Sequence, residues 1–326
     1  MLTTRFTKLV GCSVPIQQAG MGAASPPELA CAVSEAGGLG MVGTARQGIN
    51  PDTLAGLLSR TRNLTNRAFG VNFIPRFYPD KMREFVEQAA KVARVVECFY
   101  TEPDAELVRV IHGQGALACW QVGSREEALK AAEAGCDIIV AQGVEAGGHV
   151  RGTIGLLGLL GEVLDAVPEV PVLAAGGIGT GRAVAAMLAA GADGVRIGTR
   201  FVASEEAGLH PIYTDALIAA RAEDSVYGSN FHVGWPEAPH GALRSAITAA
   251  QANDGEIVAK VMGLDGSERS VPRFSVVMAD RSATGHVEAM ALYAGQSVGA
   301  IKRVAPAREI MRELVEQAED LLRRAR

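Results

Sequence analysis

The sequence predicts a (β/α)₈ barrel, and three observations lead to this fold class. Eight short apolar runs recur in the first 200 residues, and their starts fall roughly 20 to 35 residues apart, the length of a strand–helix unit. Helix-capping signals lie between the runs. The runs are mostly apolar, as expected for a parallel sheet buried on both faces. An open doubly wound sheet is the alternative, disfavoured because no GxGxxG motif follows the first run.

The eight apolar runs are the predicted strands of the barrel. In chain order they are Val14–Gln18, Leu39–Val42, Phe69–Phe73, Val95–Phe99, Leu117–Trp120, Asp137–Val140, Val170–Ala174 and Gly194–Ile197. Each is four or five residues long and bounded by glycine, proline or polar residues, which is typical of short buried strands.

The segments between the strands carry helix signals. Ser25 with Glu28, and Ser124 with Glu127, have the spacing of a capping box. Thr180 precedes an alanine-rich apolar segment and is a suitable N-cap. These signals predict helices after the first, fifth and seventh strands.

We divide the chain into three parts. Residues 1–202 form the barrel, 203–282 an excursion of helices and loops over part of the barrel mouth, and 283–326 C-terminal helices that pack on the barrel. Prolines interrupt the strand–helix rhythm in the second part. The last segment has apolar residues at helical spacing. We expect this face to pack on the barrel, with a homodimer seam as the alternative.

Composition limits the class of function. The 326 residues carry a net charge of −5 and no dense basic run, which argues against a nucleic-acid partner. No apolar stretch reaches membrane-spanning length, and the N-terminus lacks the apolar core of a signal peptide. The five cysteines are widely spaced and contain no CxxC pair. We therefore expect a cytoplasmic protein without a membrane partner.

Two glycine-containing loops follow the last two predicted strands. Ala175, Gly176 and Gly177 follow the seventh strand, and Gly198 and Thr199 follow the eighth. The loops after strands seven and eight of such barrels often hold phosphate, because backbone N–H groups converge there. The sequence therefore predicts a phosphate site at these five residues, although tight packing by small residues is an alternative.

The loop after the sixth strand carries a second signal. It contains three glycines, Gly143, Gly147 and Gly148, followed by His149. Glycines let backbone N–H groups approach a ligand closely, and the ordinary pKa of histidine is near neutrality. We interpret this loop as part of a site with His149 as the proton-transfer group. We expect Glu145, in the same loop, to be a solvated carboxylate.

Amides and small residues occupy the ends of other predicted strands. Amides offer donors and acceptors together, which suits the edge of a flat heterocycle. Together with the phosphate loops and the lack of a metal cluster, they indicate flavin mononucleotide (FMN). The residues in this group are Ala19, Gly20, Met21, Asn72, Gln121 and Gln142.

The motifs AQGVEAGGH (141–149), AAGGI (174–178) and GTRF (198–201), with FGVNF (69–73) and YAGQS (293–297), resemble the nitronate monooxygenase family, formerly called 2-nitropropane dioxygenases. The resemblance covers nearly the whole chain. It implies a non-covalent FMN and oxidation of alkyl nitronates with O₂. The resemblance implies that His149 is the catalytic base and that Gly177, Gly198 and Thr199 hold the phosphate. The residues that it places near the flavin are Ala19, Gly20, Met21, Asn72, Gln142 and Gly148.

Other functions stay open from the sequence. An AGGH motif also occurs in flavin-dependent enoyl-ACP reductases, which use NAD(P)H, and a non-catalytic FMN-binding protein is a third hypothesis. A flavin-free aldolase-type barrel is disfavoured because no lysine ends a predicted central strand. Trp235 and His240 are candidates for the mouth of the site. For His240, His210, His232 and His286 a surface loop is at least as good an interpretation.

Overall fold

The computed structural model describes residues 2–78 and 80–324 and confirms the barrel. Every residue in its eight parallel strands is buried, in agreement with the continuous apolar runs. A two-residue strand, β7, lies in the loop after the sixth barrel strand. The strands are β1 (Ile16–Gln18), β2 (Gly40–Gly43), β3 (Phe69–Phe73), β4 (Val95–Cys98), β5 (Leu117–Val122), β6 (Ile138–Gln142), β7 (Gly148–His149), β8 (Val172–Ala175) and β9 (Gly194–Ile197).

The barrel closes between β1 and β2. The hydrogen-bonded order is β1-β9-β8-β6-β5-β4-β3-β2. Leu39, just before β2, donates its N–H to the carbonyl of Ile16 and accepts the N–H of Gln18, both at 2.9 Å. This closure brings the C-terminal ends of all eight strands to one rim, where the predicted site residues lie.

Helices cover the outside of the barrel. The first helix precedes β1, and seven more follow β1 to β6 and β8, as α1 (Arg5–Val10), α2 (Pro27–Glu35), α3 (Pro51–Leu64), α4 (Met82–Ala90), α5 (Ala105–Gly113), α6 (Arg125–Glu133), α7 (Leu156–Ala166) and α8 (Gly181–Ala189). Phe6 and Val10 on α1 plug the N-terminal end of the barrel, where they meet Leu39, Met41 and other inward-facing aliphatic side chains.

The N-caps predicted at Ser124 and Thr180 are confirmed, but the reciprocal half of the capping box at Ser124 is not, because Glu127 accepts the N–H of Gly123 at 2.7 Å. The hydroxyl oxygens of Ser124 and Thr180 each accept a hydrogen bond, at 3.2 Å, from the amide three residues further on. The capping box at Ser25 is wrong. Helix α2 begins after Pro26, and the Ser25 hydroxyl instead accepts the N–H of Met21 at 2.7 Å. Ser25 therefore stabilises the loop after β1, which is part of the site.

The chain beyond β9 builds a cover at the mouth of the barrel. Strands β10, β11 and β7 form one antiparallel sheet, and β13, β12 and β14 form another. The elements are α9 (Thr199–Val202), α10 (Pro211–Ala219), β10 (Ser225–Gly228), β11 (His240–Leu243), α11 (Arg244–Ala252), β12 (Ile257–Met262), β13 (Glu268–Pro272) and β14 (Thr284–Gly285). The pairing of β11 with β7 fixes the histidine loop to the cover.

Residues 283–324 contain one α-helix, α12 (Ala307–Arg324), preceded by short 3₁₀ turns. Its apolar face packs on α8 and α2 and buries Ile310, Met311, Leu314 and Ala318. The packing interpretation of this face is confirmed. In the described part of the chain, no helix combines the length and apolarity that a membrane crossing requires.

Candidate functional site

A cavity of about 1010 Å³ opens at the C-terminal rim of the barrel strands. All the predicted site residues except Gly143 line it: Ala19, Gly20, Met21, Asn72, Gln121, Gln142, Gly147, Gly148, His149, Ala175, Gly176, Gly177, Gly198 and Thr199. The structure thus brings together residues from seven separate loops and strand ends. The volume is at the upper end of the range for sites that hold drug-sized ligands.

Gly143 lies behind the cavity wall and not on it. A Cβ atom at this position would be 2.5 Å from Cα of Leu156 and 2.4 Å from Oε2 of Glu145. The position is glycine because α7 passes close to the loop. Its expected contact with a cofactor has no support from this placement.

His149 is held in the cavity wall by backbone pairing and by one ring hydrogen bond. It pairs with His240 across β7 and β11, and its carbonyl accepts Nε2–H of Gln142 at 3.2 Å. Its Nδ1 lies 3.3 Å from the carbonyl oxygen of Ala238. Because a carbonyl only accepts, Nδ1 carries the proton, and the lone pair of the neutral ring is on Nε2.

Aromatic rings enclose the imidazole on its protein side. The centroid of Trp235 lies 4.2 Å from that of His149, Tyr293 lies 5.5 Å away and Tyr100 6.2 Å away. Burial lowers the pKa of His149 to about 3, His240 and Arg76 lower it as well, and only the bond to Ala238 opposes them. The ring is therefore neutral throughout the physiological pH range.

Neither interpretation of His240 is correct. It is fully buried beneath His149, its Nδ1 is 3.1 Å from the same Ala238 carbonyl, and its Nε2 accepts the N–H of Phe231 at 3.1 Å. Burial lowers its pKa, so it too is neutral. Trp235 is also buried behind His149 and does not line the mouth. Of the other histidines, His232 and His286 are exposed and His210 is partly exposed as the N-cap of α10.

Two amide side chains present acceptors to the cavity. Gln142 is 7% exposed, and within residues 2–78 and 80–324 its Oε1 has no hydrogen-bond partner. Asn72 donates Nδ2–H to Oε1 of Glu97 at 2.6 Å, which leaves its Oδ1 as the free end of the amide. A buried acceptor without a donor is costly, so Gln142 is arranged for a ligand that supplies one.

The loops after β8 and β9 provide the glycine-lined wall. Gly176 and Gly177 have φ values of +116° and +68°, which L side chains rarely adopt. The N–H of Gly177 has no acceptor in the described chain. The hydroxyl of Thr199 accepts the N–H of Gly295 at 3.0 Å and keeps its own proton for another acceptor. This wall can donate several hydrogen bonds to an anion.

Glu145 is a structural residue, and the expectation of a solvated carboxylate is wrong. Both of its carboxylate oxygens accept the N–H of Leu156 at 3.0 Å, at the first residue of α7. Its carbonyl accepts the N–H of Gln296 at 2.9 Å. Glu145 therefore joins the histidine loop to α7 and to the segment before α12.

The sequence interpretation missed the floor of the cavity. Arg196 lines the cavity and forms an ion pair with Glu97, which is fully buried inside the barrel. The sequence contains a signal for this pair, since Arg196 and Glu97 are each the one charged residue in an otherwise apolar strand. Alternation places both side chains inside, and buried charges are normally paired.

Arg46 is a second cation on the wall, nearer the mouth. Its guanidinium makes no hydrogen bond or ion pair within residues 2–78 and 80–324. Burial lowers the pKa of Arg46, while the negative charges of Asp280 and Glu28 act in the opposite direction. The loop that carries it is tied to the cover by a bond of 2.9 Å from Leu264 N–H to the carbonyl of Gln47.

A family model described as nitronate monooxygenase matches residues 3–111 and 76–317. The chain belongs to the nitronate monooxygenase family. It is an oxidoreductase. A protein from Staphylococcus aureus (strain JH9) named "probable nitronate monooxygenase" is 31% identical over 272 residues, 70% of this chain and 75% of its own length.

Other proteins that are similar to this chain carry different names. A protein of Rhodococcus jostii (strain RHA1), 31% identical over 85% of this chain and 74% of its own, is named (3aS,4S,5R,7aS)-5-hydroxy-7a-methyl-1-oxo-octahydro-1H-indene-4-carboxyl-CoA dehydrogenase. The structure of nitroalkane oxidase from Streptomyces ansochromogenes has a TM-score of 0.76 and 29% identity, over 98% of this chain and 99% of that one. FabK from Thermotoga maritima has a TM-score of 0.80 and 28% identity, over 100% and 99%.

Proposed function

We propose that this protein binds FMN and uses it to oxidise alkyl nitronates with O₂. The observation that carries the proposal is one cavity that combines the neutral His149 in its glycine loop with the unpaired acceptor of the neighbouring Gln142 and the backbone donors of the glycine wall. Membership of the nitronate monooxygenase family supports the same reaction.

The residues of the cavity fit FMN. Gly176, Gly177, Gly198 and Thr199 offer the donors and the space that a phosphate needs. The unpaired Oε1 of Gln142 suits the single N–H of the flavin pyrimidine edge. Ala19, Gly20 and Met21 form a wall without bulky polar groups, and a Cβ at Gly20 would lie 2.2 Å from Cβ of Asn72. When bound, FMN supplies the electron acceptor and the site of reaction with O₂.

The protein's own groups handle protons and water. His149 can accept a proton at Nε2, which a neutral nitroalkane must lose from its α-carbon before oxidation. A nitronate has already lost that proton and needs only binding and orientation. Trp235, Tyr293 and Tyr100 exclude water from one side of the imidazole.

The test starts from the absorbance spectrum of the purified protein. We expect a flavin spectrum that a nitronate bleaches without O₂ and that air restores. Colourless protein that takes up no added FMN would contradict the cofactor. Bleaching by NAD(P)H but not by nitronate would favour the enoyl-thioester reductase alternative. A flavin spectrum unaffected by either reagent would favour a non-catalytic FMN-binding protein.

A second candidate is an FMN-dependent oxidoreductase that acts on an acyl thioester with an anionic carrier. Arg46 favours this candidate, because it is a cation without a direct partner and lines the outer part of the cavity. The volume of the cavity is at the upper end of the range for ligand sites. The coenzyme A ester in the name of the Rhodococcus relative is consistent with such a substrate.

Arg46→Met distinguishes the two candidates. A hydrogen bond to a charged group contributes about 1.5–3 kcal/mol, so its loss should raise KM for a coenzyme A thioester about 10- to 100-fold. KM for a nitronate should not change. Arg83→Met, which removes an exposed arginine on α4, is the matched control. Steady-state assays on both substrates measure the effect, and an unchanged thioester KM would remove the support that Arg46 gives.

A further inference from the structure

A buried ion pair crosses the axis of the barrel. Arg196 projects inward from β9 and Glu97 from β4, and these strands are four places apart in either direction around the closed sheet. Nη1 of Arg196 donates to Oε2 of Glu97. Glu97 is fully buried and Arg196 is 5% exposed. Since buried charges lose their hydration, each member of the pair depends on the other, and removal of one would leave an uncompensated charge in the barrel.

The pair lies between the two ends of the proposed flavin site. The glycine wall for phosphate follows β8 and β9, whereas Asn72 ends β3 on the other side of the barrel. A flavin that reaches from the glycine wall to Asn72 must therefore pass over the barrel axis. Arg196 lines the cavity there, and its only side-chain hydrogen bond in residues 2–78 and 80–324 goes to Glu97.

Glu97 fixes the groups on either side of it. Its Oε1 accepts Nδ2–H of Asn72 at 2.6 Å, and its Oε2 accepts from Arg196. Sγ of Cys119 is 3.8 Å from Oε2. One carboxylate thus sets both the direction of an amide and the position of a cation on the cavity floor.

We propose that Arg196 is the cation that raises the reduction potential of the bound flavin, and that Glu97 is a positioning residue that holds this guanidinium on the barrel axis and offsets its charge. The proposal rests on the proposed FMN site. Reduction adds negative charge to the flavin ring, and a cation in a site with little water stabilises that charge more strongly than in solution.

Sulfite titration of the FMN-loaded protein tests the proposal without turnover. Sulfite adds to oxidised flavin through its sulfur lone pair and leaves one negative charge on the ring, so its dissociation constant reports the nearby charge. We expect Arg196→Gln to weaken sulfite binding about tenfold, which for a two-electron couple corresponds to about 30 mV. Glu97→Gln leaves the guanidinium uncompensated and should tighten sulfite binding by a similar factor.

The controls separate charge from fold. Arg200→Gln removes a second buried arginine four residues along, whose partner Glu313 lies on α12 outside the barrel, and should leave the sulfite constant unchanged. If Arg196→Gln does not fold because Glu97 is left unpaired, the double variant Glu97→Gln/Arg196→Gln carries neither charge of the pair and is compared with Glu97→Gln, relative to which it should bind sulfite about tenfold more weakly. Directly measured midpoint potentials should shift in the same directions.

Several outcomes would overturn the inference. An unchanged sulfite constant in Arg196→Gln, or a double variant that binds sulfite as tightly as Glu97→Gln, would show that the cation does not act on the ring. Shifts of the same sign in Arg196→Gln and Glu97→Gln would show a structural role only. Failure of the proposed function is distinguishable from these results, because wild-type protein would then take up no FMN and give no sulfite signal.

Discussion

Replacing His149 by alanine is expected to reduce turnover of a neutral nitroalkane by about 10²- to 10⁴-fold, the usual contribution of a general base. Turnover of the matching nitronate should fall much less, because the α-proton is already gone. The reason is structural: Nδ1–H of His149 is directed to the Ala238 carbonyl, so Nε2 is the only basic atom of the ring.

The comparison needs two controls. The variant must keep its FMN, measured from the visible spectrum, and His232→Ala removes an exposed histidine outside the site. Equal losses on both substrates would mean that His149 binds or orients the substrate. Unchanged rates on both would mean that the imidazole has no part in the reaction.

The pH dependence follows from the same residue. With a pKa of about 3, His149 stays neutral as the pH falls through 6.5, so nitroalkane turnover should not decline near the ordinary pKa of histidine. The unfolded chain binds a proton there that the folded chain does not. Stability should therefore fall as the pH drops from about 6.5 towards 3. Rates should be compared with thermal midpoints measured at each pH.

The barrel and much of the cavity wall could be predicted because their signals are local. Buried parallel strands appear as continuous apolar runs, and parallel strands bring their C-terminal ends to one rim. The sequence therefore predicts that the glycine loops at 175–177 and 198–199, the amides and His149 lie together. Periodicity of the last helix likewise predicted the face that packs on α8 and α2.

The rest of the site depends on contacts between distant parts of the chain. His240 and Trp235 reach His149 only because β11 pairs with β7, with His240 opposite His149 although the two are 91 positions apart in the sequence. The structural role of Glu145 could not be predicted, because its partner is the N–H of the first residue of α7 and no sequence spacing indicates that contact. Arg196 and Glu97 meet across the barrel, where their pairing depends on closure of the sheet.

The placement of Val150 and Arg151 also depends on contacts with other parts of the chain. They follow the catalytic candidate directly, and the sequence alone does not show how they affect its ring. In the structure Val150 is fully buried, and Arg151 forms ion pairs with Glu102 and Glu127 on the outside of the loop. Both side chains turn away from the cavity, and His149 stays on its wall.

The second large effect is expected at Gly177. Gly177→Leu should produce a folded, colourless protein whose FMN dissociation constant is raised by about 10²- to 10⁴-fold, the loss of about two hydrogen bonds to a charged group. A Cβ at this position would lie 3.3 Å from Cβ of Glu145, and the φ of +68° disfavours any side chain. The leucine would occupy the space next to the free Gly177 N–H.

Gly115→Leu separates ligand loss from backbone strain. Gly115 has a φ of +79°, is exposed and has no atom within 4 Å of an added Cβ, so its leucine variant carries similar strain far from the cavity. Both variants should lose thermal stability as apoproteins, but only Gly177→Leu should lose FMN, measured by fluorescence titration. Full flavin occupancy in Gly177→Leu would mean that the phosphate lies elsewhere. A matching loss of FMN in Gly115→Leu would mean that flavin binding reports general stability and not the glycine wall.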